Sequence, residues 1–479
     1  MPFSPSTPCQ HEILQLEPSP FAALAGYERP DATQREAAKS SVPSNQRKKD
    51  DKGKESTTFP APLVLPHDEL NYDPDQEPQS LRDWIDGTHR NIVTEKKRTI
   101  YVVGYPKVGE ELKGSGIDEW AKPRTGKERG GAGLDGKKRK RGPNVEGAME
   151  PAEEPDVTEL IEYLQAFYHG MRVQRLSTEL TYYAWNPSET TSRPRGGKTV
   201  SKSAAASNLT NGIPSFIALG DGSQKTRIRV RPGPDAVFAA QLNLDDLLDA
   251  LRAVIPRDAY AILLLVKHDI YETEDDDFCC GRAYGGSRIA VVQTARYHPD
   301  LDGSRGERDG YVEQHVWPMN HCRAFVDAVC EAEEDGLGRM KVTKKDIALS
   351  EDQNGGIRRA VAAAAATNIR GLDDGVRKAA LWTARVAQTV SHELGHCLGM
   401  AHCVYYACNM QGTSGMAEDF RCPPYLCPVC EAKLGYARWE YEKERLEALR
   451  GFCEGRGREK ALMWRALGAW ADARLENWS

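Results

Sequence analysis

The chain has 479 residues, with 64 Lys and Arg against 70 Asp and Glu and a formal net charge of −6 at neutral pH. Charge spread so thinly is a matter of solubility and does not argue for a nucleic-acid or membrane partner. No apolar run approaches the roughly eighteen residues that span a bilayer. The N-terminal MPFSPSTPCQHEILQLEPSP lacks a basic start followed by an apolar stretch. A soluble intracellular protein, cytoplasmic or nuclear, is therefore expected.

Residues 1–57 are rich in Pro, Ser, Lys and Glu and are expected to form a disordered N-terminal arm. Such chain cannot bury enough apolar surface to offset its ordering entropy. One catalytic domain is expected over 58–450, with a helical tail over 451–479. Early in that domain, SLRDWIDGTHRN predicts a helix capped by Ser80 with Trp84 and Ile85 turned inward. RTIYVVGY, from Arg98 to Tyr105, is β-branched and aromatic and predicts a strand. Near 107–154 the composition collapses to Gly, Lys, Arg and Glu. Its basic run, Lys137 to Arg141, reads either as part of a solvated insertion or as a nuclear import signal.

PDVTELIEYLQAFYHG then spaces Leu160, Ile161, Leu164 and Phe167 as a helix closed by Gly170, and MRVQRL alternates as a strand. A second insertion is expected near 194–210. Leu244 to Pro256 predicts an amphipathic helix leading into the strand AYAILLLV, Ala259 to Val266. An acidic loop, DIYETEDDD, precedes a further strand within Ser287 to Tyr297. Residues near 299–370, with the run Ala362–Ala366, are expected as a third low-complexity insertion. A helix starting near Asp373 runs through Ala379, Leu381, Val386 and Val390 into a histidine cluster. The tail holds two helical segments split near Gly455. Several strands with long helices place the chain in the α+β or α/β class.

Residues 392–402 read H-E-L-G-H-C-L-G-M-A-H. His392 and His396 stand four apart, so they project from one helical face and can share a metal ion. Glu393 lies beside the first ligand, placed to take a proton from water at that metal. Gly399 lets the chain leave the helix with positive φ, which returns His402 as a third ligand. Three imidazoles leave one tetrahedral position open, the arrangement catalytic zinc requires. Histidines satisfied on an ordinary helix are the competing reading. Gly and His at fixed offsets after H-E-x-x-H disfavour it. Met410, in N-M-Q-G, reads as a methionine turn flooring the metal rather than ordinary core packing. Tyr405 and Tyr406 read as packing, with oxyanion stabilisation as the alternative.

Five of the twelve cysteines crowd beside this motif. Cys403-x₄-Cys408 and Cys427-P-V-Cys430 supply four thiolates for a closed tetrahedral, structural zinc site, with disulfides as the alternative. Cys397 and Cys422 read as spares, and Cys422 is close enough to replace one of the four. Two Zn²⁺ per chain are expected, one catalytic and one structural.

H-E-x-x-H-x-x-G-x-x-H with a later Met resembles the metzincin clan. The immediate C-x₄-C-x-M and the trailing PPYLCPVCEAKL resemble the archaemetzincins, more weakly supported by PLVLPHDELN, RTIYVVGY, AILLLVKHDIYE and VVQTARY. The resemblance implies an α+β, zincin-like metallopeptidase fold: a twisted mixed sheet, an active-site helix and a small C-terminal subdomain holding the second zinc. It also implies a zinc metallopeptidase acting on a peptide or protein substrate. By strand addition, an extended peptide is expected to lie antiparallel to an edge strand. This chain departs from the family at Phe278-Cys279-Cys280-Gly281, where aromatic residues usually follow the acidic loop. A monomer is expected. The alternative function is a zinc-stabilised peptide- or protein-binding protein with little or no catalysis. A nucleic-acid module is disfavoured, because the cysteine cluster lacks interleaved basic and aromatic residues.

Overall fold

The apolar run Ala259–Val266 forms the central strand of a five-stranded sheet, and all eight of its residues are buried. Burial on both faces is what a covered, parallel-paired strand requires. Thr99–Val103 and Ile289–Gln293 flank it in parallel. Arg172–Arg175 extends the sheet in parallel on one side, and Gly281–Tyr284 closes the other edge antiparallel to Ile289–Gln293. The computed structural model describes residues 11–41, 57–88, 90–124, 153–186, 209–210, 212–303, 313–333, 337, 339–367, 372–438, 442–455 and 460–476. Over these residues the fold is α+β with a mixed sheet.

Side-chain alternation along the central strand divides the core. Leu263 and Leu265 pack with Leu164 and Phe167 of the helix Val157–Phe167 and with Val390 and Leu394 of the helix Asp374–Cys397. Ile262, Leu264 and Val266 face Leu247 and Leu251 of the helix Leu244–Val254. Beyond that helix lies a six-stranded sheet, ordered Asp269–Tyr271, Ala240–Asn243, Lys225–Pro232, Phe216–Gly220, Thr181–Ala184 and Lys107–Val108. No helix among the described residues is long and apolar enough to cross a membrane.

Several boundaries differ from the sequence expectations. Residues 11–41, expected within a disordered arm, pack onto the domain. Leu14 and Leu16 enter the main core, and Asp31 closes a capping box on the helix Ala32–Ala38. A composition average misses this because a few apolar residues suffice where a folded surface already offers them pockets. The expected insertion near 299–370 contains the helices Arg323–Glu333, Lys344–Ser350 and Gly356–Ala366. Its alanine run is a close-packing face: Ile357, Ala360, Val361 and Ala364 are buried, and a Cβ on Gly356 would stand 2.8 Å from Trp470 Cδ1. The tail is two helices, Glu442–Cys453 and Leu462–Glu476, so the expected boundary at 451 falls inside the first. Trp464 and Trp470 are buried, which makes these helices part of the core rather than an appendage. Within 107–154, residues 107–124 are described and carry the short helix Ile117–Trp120. The basic run 137–141, and 194–210 apart from the strand Leu209–Thr210, lie outside the described residues.

Candidate metal centres and active site

The helix Asp374–Cys397 delivers the first two histidines. Asp373 caps its start by accepting from Val376 N at 3.2 Å, and Gly399, at φ +80°, turns the chain away beyond its end. Four-residue spacing brings His392 Nε2 to 3.0 Å from His396 Nε2. Two ligands on a tetrahedral zinc with bonds near 2.05 Å stand about 3.3 Å apart, so this spacing suits a shared ion. His402 completes the cluster, with ring centroids 5.5 Å from His392 and 5.0 Å from His396. Among the described residues these three histidines form one of two groups whose ligand atoms converge closely enough to hold a metal.

Backbone carbonyls aim two of the imidazoles. His392 Nδ1–H donates to Asn409 O and His396 Nδ1–H donates to Met400 O, each at 2.7 Å. A carbonyl can only accept, so both Nε2 lone pairs point to the centre of the cluster. Burial, with mutual repulsion, holds His392 well below the usual histidine range and His396 down to about 4, and burial lowers His402. All three stay neutral near pH 7, the form that binds metal.

The chain between His402 and Met410 carries the remaining pieces. Cys403 N donates to Met410 O at 2.7 Å, folding the segment back under the histidines. Met410 is fully buried against Gly395, where a Cβ would collide with its sulfur. Gly412 passes so near His402 that a Cβ there would lie 2.6 Å from Nδ1. Cys403, Cys408, Cys427 and Cys430 form the second group of converging ligand atoms, all buried. Cys403 Sγ and Cys427 Sγ lie 3.5 Å apart, and both cysteines are free. A disulfide needs about 2.05 Å, whereas two thiolates on one tetrahedral zinc stand about 3.8 Å apart. Hydrogen bonds from Cys408, Cys427 and Cys430 hold the Cys403 thiol well below its usual range, while burial pushes Cys408 and Cys427 up. Four buried sulfurs converging without a disulfide are the donor set a tetrahedral divalent cation fits. Cys422 and Cys397 lie outside this group.

Glu393 faces a cleft of about 880 Å³ that His392, His396 and His402 also line. Burial pushes its carboxyl up to about 8, opposed by Arg282 and by a hydrogen bond from the Ala283 backbone. Arg282 and Ala283 belong to the edge strand Gly281–Tyr284, so that edge forms a wall of the cleft beside Glu393. Cys279 and Cys280 line the same wall, with burial raising both thiols, Cys279 to about 12. Tyr405 and Tyr406 are buried and do not line the cleft, which leaves them a packing role.

Three features escaped sequence reasoning. The carbonyls of Asn409 and Met400 carry no side-chain signal. Gly395 and Gly412 leave a visible one, a glycine inside an amphipathic helix and a glycine closing N-M-Q-G, yet only the fold says what each approaches. The third is residues 11–41, of which Tyr27, Arg29 and Arg35 lie against the loop between Cys403 and Cys408.

Residues 357–436 match the sequence model of Peptidase family M54. Archaemetzincin-2 of Mus musculus is 43% identical over 209 residues, covering 44% of this chain and 45% of that protein. Archaemetzincin-2 of Macaca fascicularis is 26% identical over the same length with the same shares. The crystal structure of archaemetzincin from Methanopyrus kandleri aligns with 73% of this chain and 100% of its own at 14% identity and a TM-score of 0.30, too low to bear on the fold. The chain spans less than half the length of these curated relatives. By the family match over residues 357–436, the relatives and the motif that carries both, this chain is similar to the archaemetzincins.

Proposed function

We propose that the protein is a zinc-dependent peptidase, with the catalytic ion on His392, His396 and His402 and a structural ion on Cys403, Cys408, Cys427 and Cys430. The observation that carries this reading is convergence: neutral imidazoles, two of them locked by their Nδ1–H bonds, meet on a cleft wall beside a buried carboxylate. Both donor sets fit zinc, one leaving a coordination position toward the cleft and one closed. When bound, the first ion supplies Lewis acidity toward a carbonyl and lowers the pKa of water.

The chain's own residues do the rest. Glu393 Oε takes the proton of the attacking water and returns it to the leaving amine nitrogen. Its proton-accepting carboxylate form would be favoured by a cation bound beside it, against the burial that raises the carboxyl. Among the described residues Gly281–Tyr284 pairs on one side only, with Ile289–Gln293, and its other edge would take an extended peptide adding as a strand. Met410 and Gly399 act on the site by packing and by chain reversal. The test is digestion of a diverse peptide library by the zinc-loaded protein beside Glu393→Ala, read by mass spectrometry. Cuts present with the parent and absent with the variant support the assignment. Equal cutting by both removes Glu393 from its role.

A further inference from the structure

His402, Cys403, Cys408 and Met410 all lie on one irregular loop, and its grip comes from the far end of the chain. Tyr27 Oη donates to Val404 O at 2.6 Å, and Arg29 Nε donates to Tyr405 O at 2.9 Å. The guanidinium groups of Arg29 and Arg35 lie over the Tyr406 ring at 5.1 and 5.4 Å. Ala407 N donates to Pro60 O at 3.0 Å. Four consecutive residues between the ligands Cys403 and Cys408 are thus each engaged by segments more than three hundred residues away in sequence. These contacts are sheltered: Tyr27 is 5% exposed and the Arg29 side chain 6%. Val404 also packs with Ala22, Tyr27, Val64 and Leu70 in a small core of its own.

A loop without regular structure must satisfy its carbonyls elsewhere, and metal ligands need support within about half an ångström of their working positions. We propose that the segment around Tyr27 and Arg29 is a positioning strap for both metal centres. Tyr27 and Arg29 fix the carbonyls of Val404 and Tyr405, and so fix where Cys403 and Cys408 present their sulfurs and where His402, one residue before Cys403, presents its ring. The strap touches neither metal nor cleft and acts through the loop alone. This inference rests on the zinc reading above.

The experiment follows zinc release from the full-length loaded protein into excess chromogenic chelator, for the parent, Tyr27→Phe, Arg29→Met and Arg29→Lys. Leu251→Ala, in the helix between the two sheets, serves as a destabilised control away from the loop. Tyr27→Phe and Arg29→Met should release zinc roughly tenfold faster, the scale on which metal sites respond to loss of supporting contacts. Arg29→Lys should recover part of that, because an ammonium can still donate to the Tyr405 carbonyl. Release at the parent rate by both variants would overturn the strap. Equally fast release by Leu251→Ala at matched Tm would also overturn it, by showing that global stability sets the rate. A parent that holds no zinc would instead refute the underlying zinc reading, so the two failures are distinguishable.

Discussion

The imidazole and thiol clusters meet at consecutive residues, His402 and Cys403, and differ above all in access. Each of the four cysteines is at most 3% exposed, whereas the histidines open on a cleft of about 880 Å³. Ligand chemistry follows from that difference. On the zinc reading, the four sealed thiols close their site, which would cross-link the loop Cys403–Cys408 to the start of the helix Pro428–Arg438. Burial keeps the imidazoles neutral, and three of them would leave a bound zinc one coordination position toward the cleft. On this reading one loop serves both, with the closed site beginning one residue after the open one ends.

Breaking the closed site should give the largest effect. Cys427→Ser is expected to cost several kcal/mol of stability, since a structural zinc contributes folding energy outright. It should also lower zinc at the histidines through the shared loop. His392→Ala should remove one zinc and shift Tm little. Thermal melts paired with metal analysis check both, and equal Tm losses would erase the distinction between the sites.

Glu393→Gln comes next: kcat/KM on a library-derived peptide should fall by about 10² to 10⁴, the usual span for a positioned acid–base group. Zinc content should be unchanged, and a loss of metal would indicate a structural carboxylate instead. A smaller effect is expected from Gly412→Ala, whose Cβ would press on His402 Nδ1 at 2.6 Å. Zinc affinity at the imidazoles should weaken roughly tenfold while the thiol site keeps its ion. Chelator competition resolving the two ions tests this.

The smallest effect concerns acid. His268 and His321 lie outside both metal groups, and burial lowers each to about 4. The unfolded chain binds their protons near the usual value of about 6.5, so it takes up more protons than the folded state between those limits. Stability from these two is complete above about pH 6.5 and declines as pH falls toward 4. Urea midpoints measured on the zinc-loaded protein should fall across that window. A flat profile would mean that neither histidine is held neutral.

Much of the site was legible because its chemistry is written in side chains at fixed offsets. His392, His396 and His402 with Glu393 follow from spacing, and so do the four cysteines except that Cys422 stayed a possible substitute. The histidines and the four cysteines each converge, and Glu393 lines the same cleft as the histidines. The principal strands were legible from β-branched apolar runs such as Ala259–Val266. The six-stranded sheet was not. Lys225–Pro232 does alternate basic with apolar residues as a half-buried strand does, but others in that sheet, such as Thr181–Ala184, Ala240–Asn243 and Asp269–Tyr271, are too short to show a period. Residues 11–41 were misread for a related reason. Tyr27 and Arg29 look like scattered residues in polar chain until Val404 and Tyr405 supply their partners. Gly356–Ala366 looked like low complexity because close helix contacts select small side chains.

The central claim is that one loop carries two separable metal centres, of which the open one does the chemistry. Native mass spectrometry of the zinc-loaded parent and of His402→Ala tests it most directly, with peptide cleavage read on the same samples. Two zinc ions on the parent, one on the variant and no cleavage by the variant are the predicted result. A variant that keeps two ions and still cleaves, or a parent that never holds more than one, would contradict it.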